Sequence, residues 1–191
     1  MTTLEDAAAL ARDERGLVIV ATLRGDGTIQ SSLVNAGIVP HPATGESTLA
    51  FVTNGPVKLA NLRARPQVTA TFRNGWQWAA VEGHAELAGP DDPQPWLDPE
   101  RLRLLLREIF SAAGGEHDDW DTYDRAMAEE RRAAVLVRPD RVYTNRLART
   151  RGCSAAGLPR PWSSTKVSKP TTPRPTGLRI RTSTRRSCSL R

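Results

Sequence analysis

Apolar residues gather along the chain in short runs separated by Gly, Pro, Asn and Asp, the punctuation of strands joined by tight turns. The opening TTLEDAAALARDER has helical spacing instead. Thr2 and Glu5 stand at capping-box separation, with Leu4, Ala7, Ala8 and Leu10 on one face, and Gly16 ends the segment. GLVIVATLR then reads as a buried strand, GDGT as a hairpin turn and IQSSLVNAGIV as the antiparallel return. HPATGE turns the chain into a third strand, STLAFVT. A short helical pattern carrying Lys58 follows, and QVTATFR is the fourth strand. Asn74-Gly75 signals a hairpin into WQWAAVEGHAEL, where Gly83 marks a bulge or a close backbone approach. AGPDDPQPWLDPE is a loop. PERLRLLLREIFSAAG and DDWDTYDRAMAEERR are helices, each opened by acidic residues or Pro. AAVLVRP is a late strand and DRVYTN one more. Five or six short strands with hairpin turns and peripheral helices predict a small antiparallel barrel of α+β, mainly β, character.

Charge divides this picture in two. The chain has 191 residues and a net charge of +6, which at first suggests a nucleic-acid partner. Residues 149–191 hold 11 of the 27 Lys and Arg and no acidic residue. Taking those 11 away leaves 16 basic against 21 acidic residues in 1–148, a net of −5. An acidic body argues against nucleic-acid binding there and leaves it only to the tail. The expected organisation is therefore one folded domain over 1–148 and a basic tail over 149–191. The tail is rich in Pro, Ser, Thr and Arg, has no periodicity and is expected to be disordered, without a selected role. Both cysteines, Cys153 and Cys188, lie in the tail, so the body has no disulfide framework, thiolate metal site or Cys nucleophile. No leading stretch resembles a signal peptide and no run is long enough to span a bilayer, so the expectation is a soluble, cytoplasmic protein without a membrane partner.

The helix after the third strand carries the candidate chemistry. In TNGPVKLANL, Asn54 or Gly55 can serve as N-cap, and Pro56 fits the first helical position, where its missing N–H costs nothing. Free amides and the positive helix pole there favour an anion. A lysine in the first turn, Lys58, is unfavourable for the helix unless an anion compensates it, and the combination suggests a phosphate seat with Thr53 and Asn54 as neutral donors. Asn61, one turn on, can meet the same ligand or cap adjacent backbone. Arg63 and Arg65 read as solvated surface residues rather than further anion contacts.

Other constellations are weaker. Trp76 and Trp78 alternate across Gln77 and are expected on one face, suited to stacking on a flat heterocycle or to a core or dimer-interface role. His41, His84 and His117 are scattered, without metal-ligand spacing, so no metal is expected. Ser31 and Ser32 sit in no nucleophile elbow, and neither a dinucleotide nor a Walker glycine loop occurs, which disfavours hydrolase, kinase and Rossmann readings.

Taken in order, ATLRGDGTIQSS, KLANLRARPQVT, GWQWAAVEGHAEL and GEHDDWDTYDRAM with ERRAAVLVRPDRVY resemble the pyridoxamine 5′-phosphate oxidase-like split barrels, and most of all their coenzyme F420-dependent deazaflavin branch. The resemblance runs from about Leu17 to Tyr143 and implies a six-stranded antiparallel FMN-binding-type split barrel, homodimeric, with cofactor sites shared between subunits. It implies that Lys58 meets the cofactor phosphate and that Asn61, Thr53, Asn54 and Gly55 line the cofactor. It places Ser32 and Asn35 near the ring system, with Trp76 and Trp78 reaching the ring from the other subunit. Pro56 stands where some relatives carry an arginine beside the phosphate tail, a departure that bears on how strongly the tail is held. Separately, the FMN phosphate motif of true pyridoxamine phosphate oxidases is missing from SSLVNAGIV, which favours F420 over FMN as cofactor. The implied activity is hydride transfer from reduced F420 to a small, planar, electron-poor acceptor, with no catalytic residue assigned. The alternatives are an FMN-binding relative, or a flavin or F420 carrier without efficient turnover.

Overall fold

The computed structural model describes residues 2–145; the expected basic tail, the boundary at 148 and both cysteines lie outside them. The apolar runs become strands because alternate residues share one interior. β1 (Leu17–Leu23), β2 (Ile29–Pro40), β3 (Ser47–Thr53), β4 (Gln67–Asn74), β5 (Gln77–Ala88) and β6 (Ala133–Thr144) form a closed antiparallel barrel. Around the barrel the order is β1-β2-β3-β6-β5-β4, with β4 pairing back to β1. Inward residues such as Val18, Val20, Phe51, Phe72, Val81 and Val135 are fully buried and make one core. Each large apolar side chain placed there contributes about 1.5–3 kcal/mol, more than local strand preference supplies.

Two helices cover one outer face. α3, over Pro99–Ala112, and α4, over Trp120–Glu129, lay Leu105, Leu106, Ile109 and Tyr123 against Ala50, Ala134 and Leu136. Asp98 caps the first of them through the Arg101 amide, and Asp119 caps the second through that of Thr122. Asp124 fastens the pair together by accepting from Arg103 at 2.9 Å and Arg107 at 2.8 Å. Those two guanidiniums hold its carboxyl below the usual carboxylate range, with Arg107 the larger influence. The end of α3 comes so close to β2 that a Cβ on Gly37 would fall 2.4 Å from the carbonyl carbon of Ala112. Among the described residues no helix is long and apolar enough to cross a membrane.

Three expectations need correction. The first helix, α1, spans only Leu4–Ala9 before a short 3-10 turn at Arg12–Glu14, and its capping box is Thr3 with Asp6 rather than Thr2 with Glu5. AAVLVRP and DRVYTN are one continuous strand, β6, passing through Pro139. It does so because the ladder is interrupted there: the β5–β6 register shifts between Glu82 and Gly83, leaving Asp140 as an extra residue on β6, and Gly83 pairs with Pro139, which has no N–H to offer. A Cβ on Gly83 would meet the Arg138 carbonyl oxygen at 2.1 Å, so only glycine fits this bulge. Finally, Trp76 belongs to the turn between β4 and β5, not to the strand, so it does not share a strand face with Trp78.

Candidate functional site

α2, over Pro56–Ala64, begins directly after β3, and its first turn is built as the sequence implies, with one refinement. Gly55 is the N-cap and Pro56 the first helical residue. Asn54 caps nothing; its amide donates to Glu130 Oε2 at 3.2 Å. Thr53 Oγ1 accepts the Gly55 N–H at 3.2 Å and fixes the corner between strand and helix. No side chain caps the helix among the described residues, and its first turn holds no acidic residue. The amides of Val57 and Lys58 therefore face outward from the positive end of α2 without a capping acceptor.

Lys58 is the unusual member. It is only 5% exposed, and its ammonium lies 5.3 Å from the centroid of Phe51. It makes no ion pair and no hydrogen bond among the described residues. Burial pushes its pKa below the ordinary 10.5. No side-chain nitrogen or oxygen fully sealed from solvent lacks a partner among the described residues, so this ammonium stands at an opening rather than in a closed void. A buried cation without a carboxylate, beside an uncapped helix start, is an arrangement that an anion completes.

Other predicted residues gather on the same inward side. Asn61 is buried and donates to Thr22 Oγ1 and Gln30 Oε1, each at 3.1 Å, so its amide ties α2 to β1 and β2. Ser32 pairs with Val20 and is half-buried next to this polar group. Thr22 and Gln30 carry no sequence signal of their own; only the register, which sets them opposite each other, brings them under Asn61.

The remaining predicted residues stand elsewhere. Asn35, three positions after Ser32 on a strand, faces outward, and it donates to the Arg15 carbonyl at 2.8 Å. Trp78 lies on the outer face, edge-on to Tyr143 at 5.9 Å, while Trp76 is 95% exposed at the hairpin tip. Asn145 clamps that hairpin, accepting from the Trp78 amide and donating to the Trp76 carbonyl. Arg63 and Arg65 are more engaged than solvated residues. Arg63 makes a two-pronged pair with Asp92 at 2.7 and 2.8 Å, and Arg65 donates to the Leu23 carbonyl. His84 contacts Asp140 and His41 contacts Glu86. No group of three or more His, Cys, Asp and Glu is placed to hold a metal among the described residues.

No protein-family model matches the chain. Solved structures do match it in fold. A conserved hypothetical protein from Mycobacterium tuberculosis superposes with a TM-score of 0.54 at 18% identity, over 75% of this chain and 84% of its own. A heme binding protein from Mycobacterium smegmatis gives a TM-score of 0.50 at 14% identity, over 75% of this chain and 54% of its own. An F420 reductase matches at 20% identity over 66% of this chain and 88% of its own, with a TM-score of 0.46, too loose a likeness to bear on function. At such identities the likeness is one of architecture: the chain has the six-stranded split-barrel fold that its motifs resemble.

Proposed function

We propose that this chain binds a flavin-type cofactor by its phosphate at the start of α2 and works as an oxidoreductase on a small, planar, electron-poor acceptor. Coenzyme F420 is the cofactor favoured by the sequence resemblance, with FMN the alternative. The observation that carries the proposal is Lys58: a cation 5% exposed, without a carboxylate, next to a helix start that no side chain caps. A phosphate fits that donor set, since it takes charge from the ammonium and hydrogen bonds from the Val57 and Lys58 amides. When bound and reduced, the deazaflavin supplies the hydride.

The chain's own residues hold the seat. Thr53 keeps the β3–α2 corner in place through the Gly55 amide, and Asn61 anchors α2 on Thr22 and Gln30. Neither action requires a nucleophile, in keeping with the absence of any nucleophile motif in the sequence.

The proposal includes a second copy of the chain. The sheet surface away from α3 and α4 exposes Ile19, Ile29, Leu33, Trp78 and Tyr143 across β1, β2, β5 and β6. Leu33 faces Ile19 directly in the register, so part of this surface is contiguous. Exposed apolar surface of this kind suits burial by a second barrel, and the resemblance implies that in such a pair Trp76 and Trp78 of one chain reach the cofactor of the other.

Parallel titration of the purified protein with oxidised F420 and FMN tests the reading, with haem as a third arm because one protein of this fold binds it. The expected result is binding of F420 or FMN that Lys58→Ala weakens by about 1–3 kcal/mol, the range for a charge-assisted contact. Affinity unchanged in the variant removes the phosphate seat. Single-turnover oxidation of bound reduced cofactor by quinone or nitroaromatic acceptors then separates an enzyme from a carrier.

A further inference from the structure

We propose that the cavity between β3 and the α3–α4 pair is a second binding site, one for a small, flat, apolar monocarboxylate held by Arg15. The cavity measures about 350 Å³, within the range of small-molecule sites. Val52, Phe110 and Met127 give it apolar walls, and Arg15, Glu116 and Arg132 stand around it. It is distinct from the α2 seat because strand alternation separates them. Phe51 and Thr53 are buried and Phe51 belongs to the barrel interior, whereas Val52 between them packs toward the helices.

The charges choose the ligand. Arg132 is already held by Glu130, whose Oε2 accepts its Nε at 2.7 Å. The Arg15 guanidinium has no ion pair or hydrogen bond among the described residues, so it is the cation free to meet an anion. Glu116, exposed and also unpaired among the described residues, opposes a second negative charge, which selects one carboxylate over two.

The body of the ligand follows from the walls. Phe110 and Tyr123 pack at a centroid distance of 5.0 Å and present ring surface to the cavity. The Tyr123 hydroxyl is spent on the Leu106 carbonyl at 3.1 Å, so this wall offers no polar group to the ligand.

The backbone also converges here. Arg15, which lines the cavity, has left-handed backbone at φ 52°, one of two non-glycine residues that do so among the described residues; the other, Arg131 at φ 49°, directly precedes the cavity-lining Arg132. Such conformations persist only where surrounding contacts enforce them. At Arg15 one such contact is the Asn35 amide on its carbonyl oxygen, and Asn35 itself lines the cavity.

Calorimetric titration of the full chain with 3-phenylpropionate and with its uncharged amide tests the site. We expect the acid to bind roughly tenfold or more tightly than the amide, the effect of one charge-assisted contact. Arg15→Asn, whose side chain tolerates left-handed backbone, should erase that preference while leaving amide binding unchanged. Arg15→Lys should keep part of it, and Met127→Trp should fill the cavity and abolish binding of both compounds. Lys58→Ala should leave acid binding unchanged, whatever becomes of cofactor binding. No acid binding at millimolar concentration, equal affinity for acid and amide, or loss of acid binding in Lys58→Ala would each overturn the proposal. The acid–amide comparison requires no variant, so it decides the matter even if a substitution disturbs folding.

Discussion

At Lys58 two effects of opposite sign meet: the ammonium loses most of its hydration and gains the face of Phe51 at 5.3 Å. A desolvated cation–π contact returns about 2 kcal/mol, whereas stripping water from an ion costs several kcal/mol, so burial prevails and the pKa falls below 10.5. Between the lowered folded value and 10.5 the unfolded chain binds more protons than the folded one, so this residue makes stability rise with pH across that window. Below the window its cost is present in full. Lys58→Met, which keeps length and removes charge, should therefore stabilise the fold near neutral pH by about 1.4 kcal/mol for each pH unit by which burial lowers the lysine's pKa, read as a higher urea midpoint. The advantage should shrink as pH climbs toward 10.5. Equal midpoints at neutral pH would contradict the account. The sequence places Lys58 in the first turn correctly, but not its inward direction, because a nine-residue helix gives no clear apolar face to orient it. Nor does it reveal the duty of Asn61, whose partners lie 39 and 31 residues away. Arg15 is legible only as the residue before a helix-ending glycine; its cavity is made by helices almost a hundred residues later.

Among the elements, β6 and the β4–β5 hairpin separate what local chemistry specifies from what pairing decides. β3 and the opening of α2 agree with their sequence signals because strand alternation, glycine and proline all give the same boundary. Pro139 looks like a strand end when read alone, and it is tolerated mid-strand because β6 bulges there, with Asp140 as the extra residue between Pro139, opposite Gly83, and Arg141, opposite Glu82. TTLED offers two capping boxes one residue apart, Thr2 with Glu5 and Thr3 with Asp6, and packing of Leu4 and Ala7 selects the second. Trp76 falls in the turn, while Trp78 keeps its place on β5, because Asn74 ends β4 and the turn is Gly75-Trp76, one residue later than the Asn-Gly signal implies. The bulge can be tested directly. Gly83→Ala must move the Arg138 carbonyl or break the β5–β6 register, and we expect a loss of about 1–3 kcal/mol in denaturant unfolding. A loss within a few tenths would mean that the strands slide past each other freely at this point.

For the whole molecule, the uneven cover of the barrel is the informative property. α3 and α4 shield one side, while Leu33 is 64% exposed and Ile29 66% on the other. If a second copy covers that side, light scattering should return twice the chain's 20.9 kDa, and Leu33→Glu should return a single chain with weaker cofactor binding. A wild-type protein of single-chain mass would end the paired arrangement while leaving the α2 seat open to test. The strand order has a separate consequence for synthesis. β6 is the last strand made among the described residues, yet it supplies the partner for both β3 and β5. Until a ribosome has released residues 133–144, the earlier strands can form only an open ribbon, β3-β2-β1-β4-β5, bare along both margins. A stalled or truncated nascent chain of this protein is thus a natural client for chaperones, and its vulnerability ends with one twelve-residue segment.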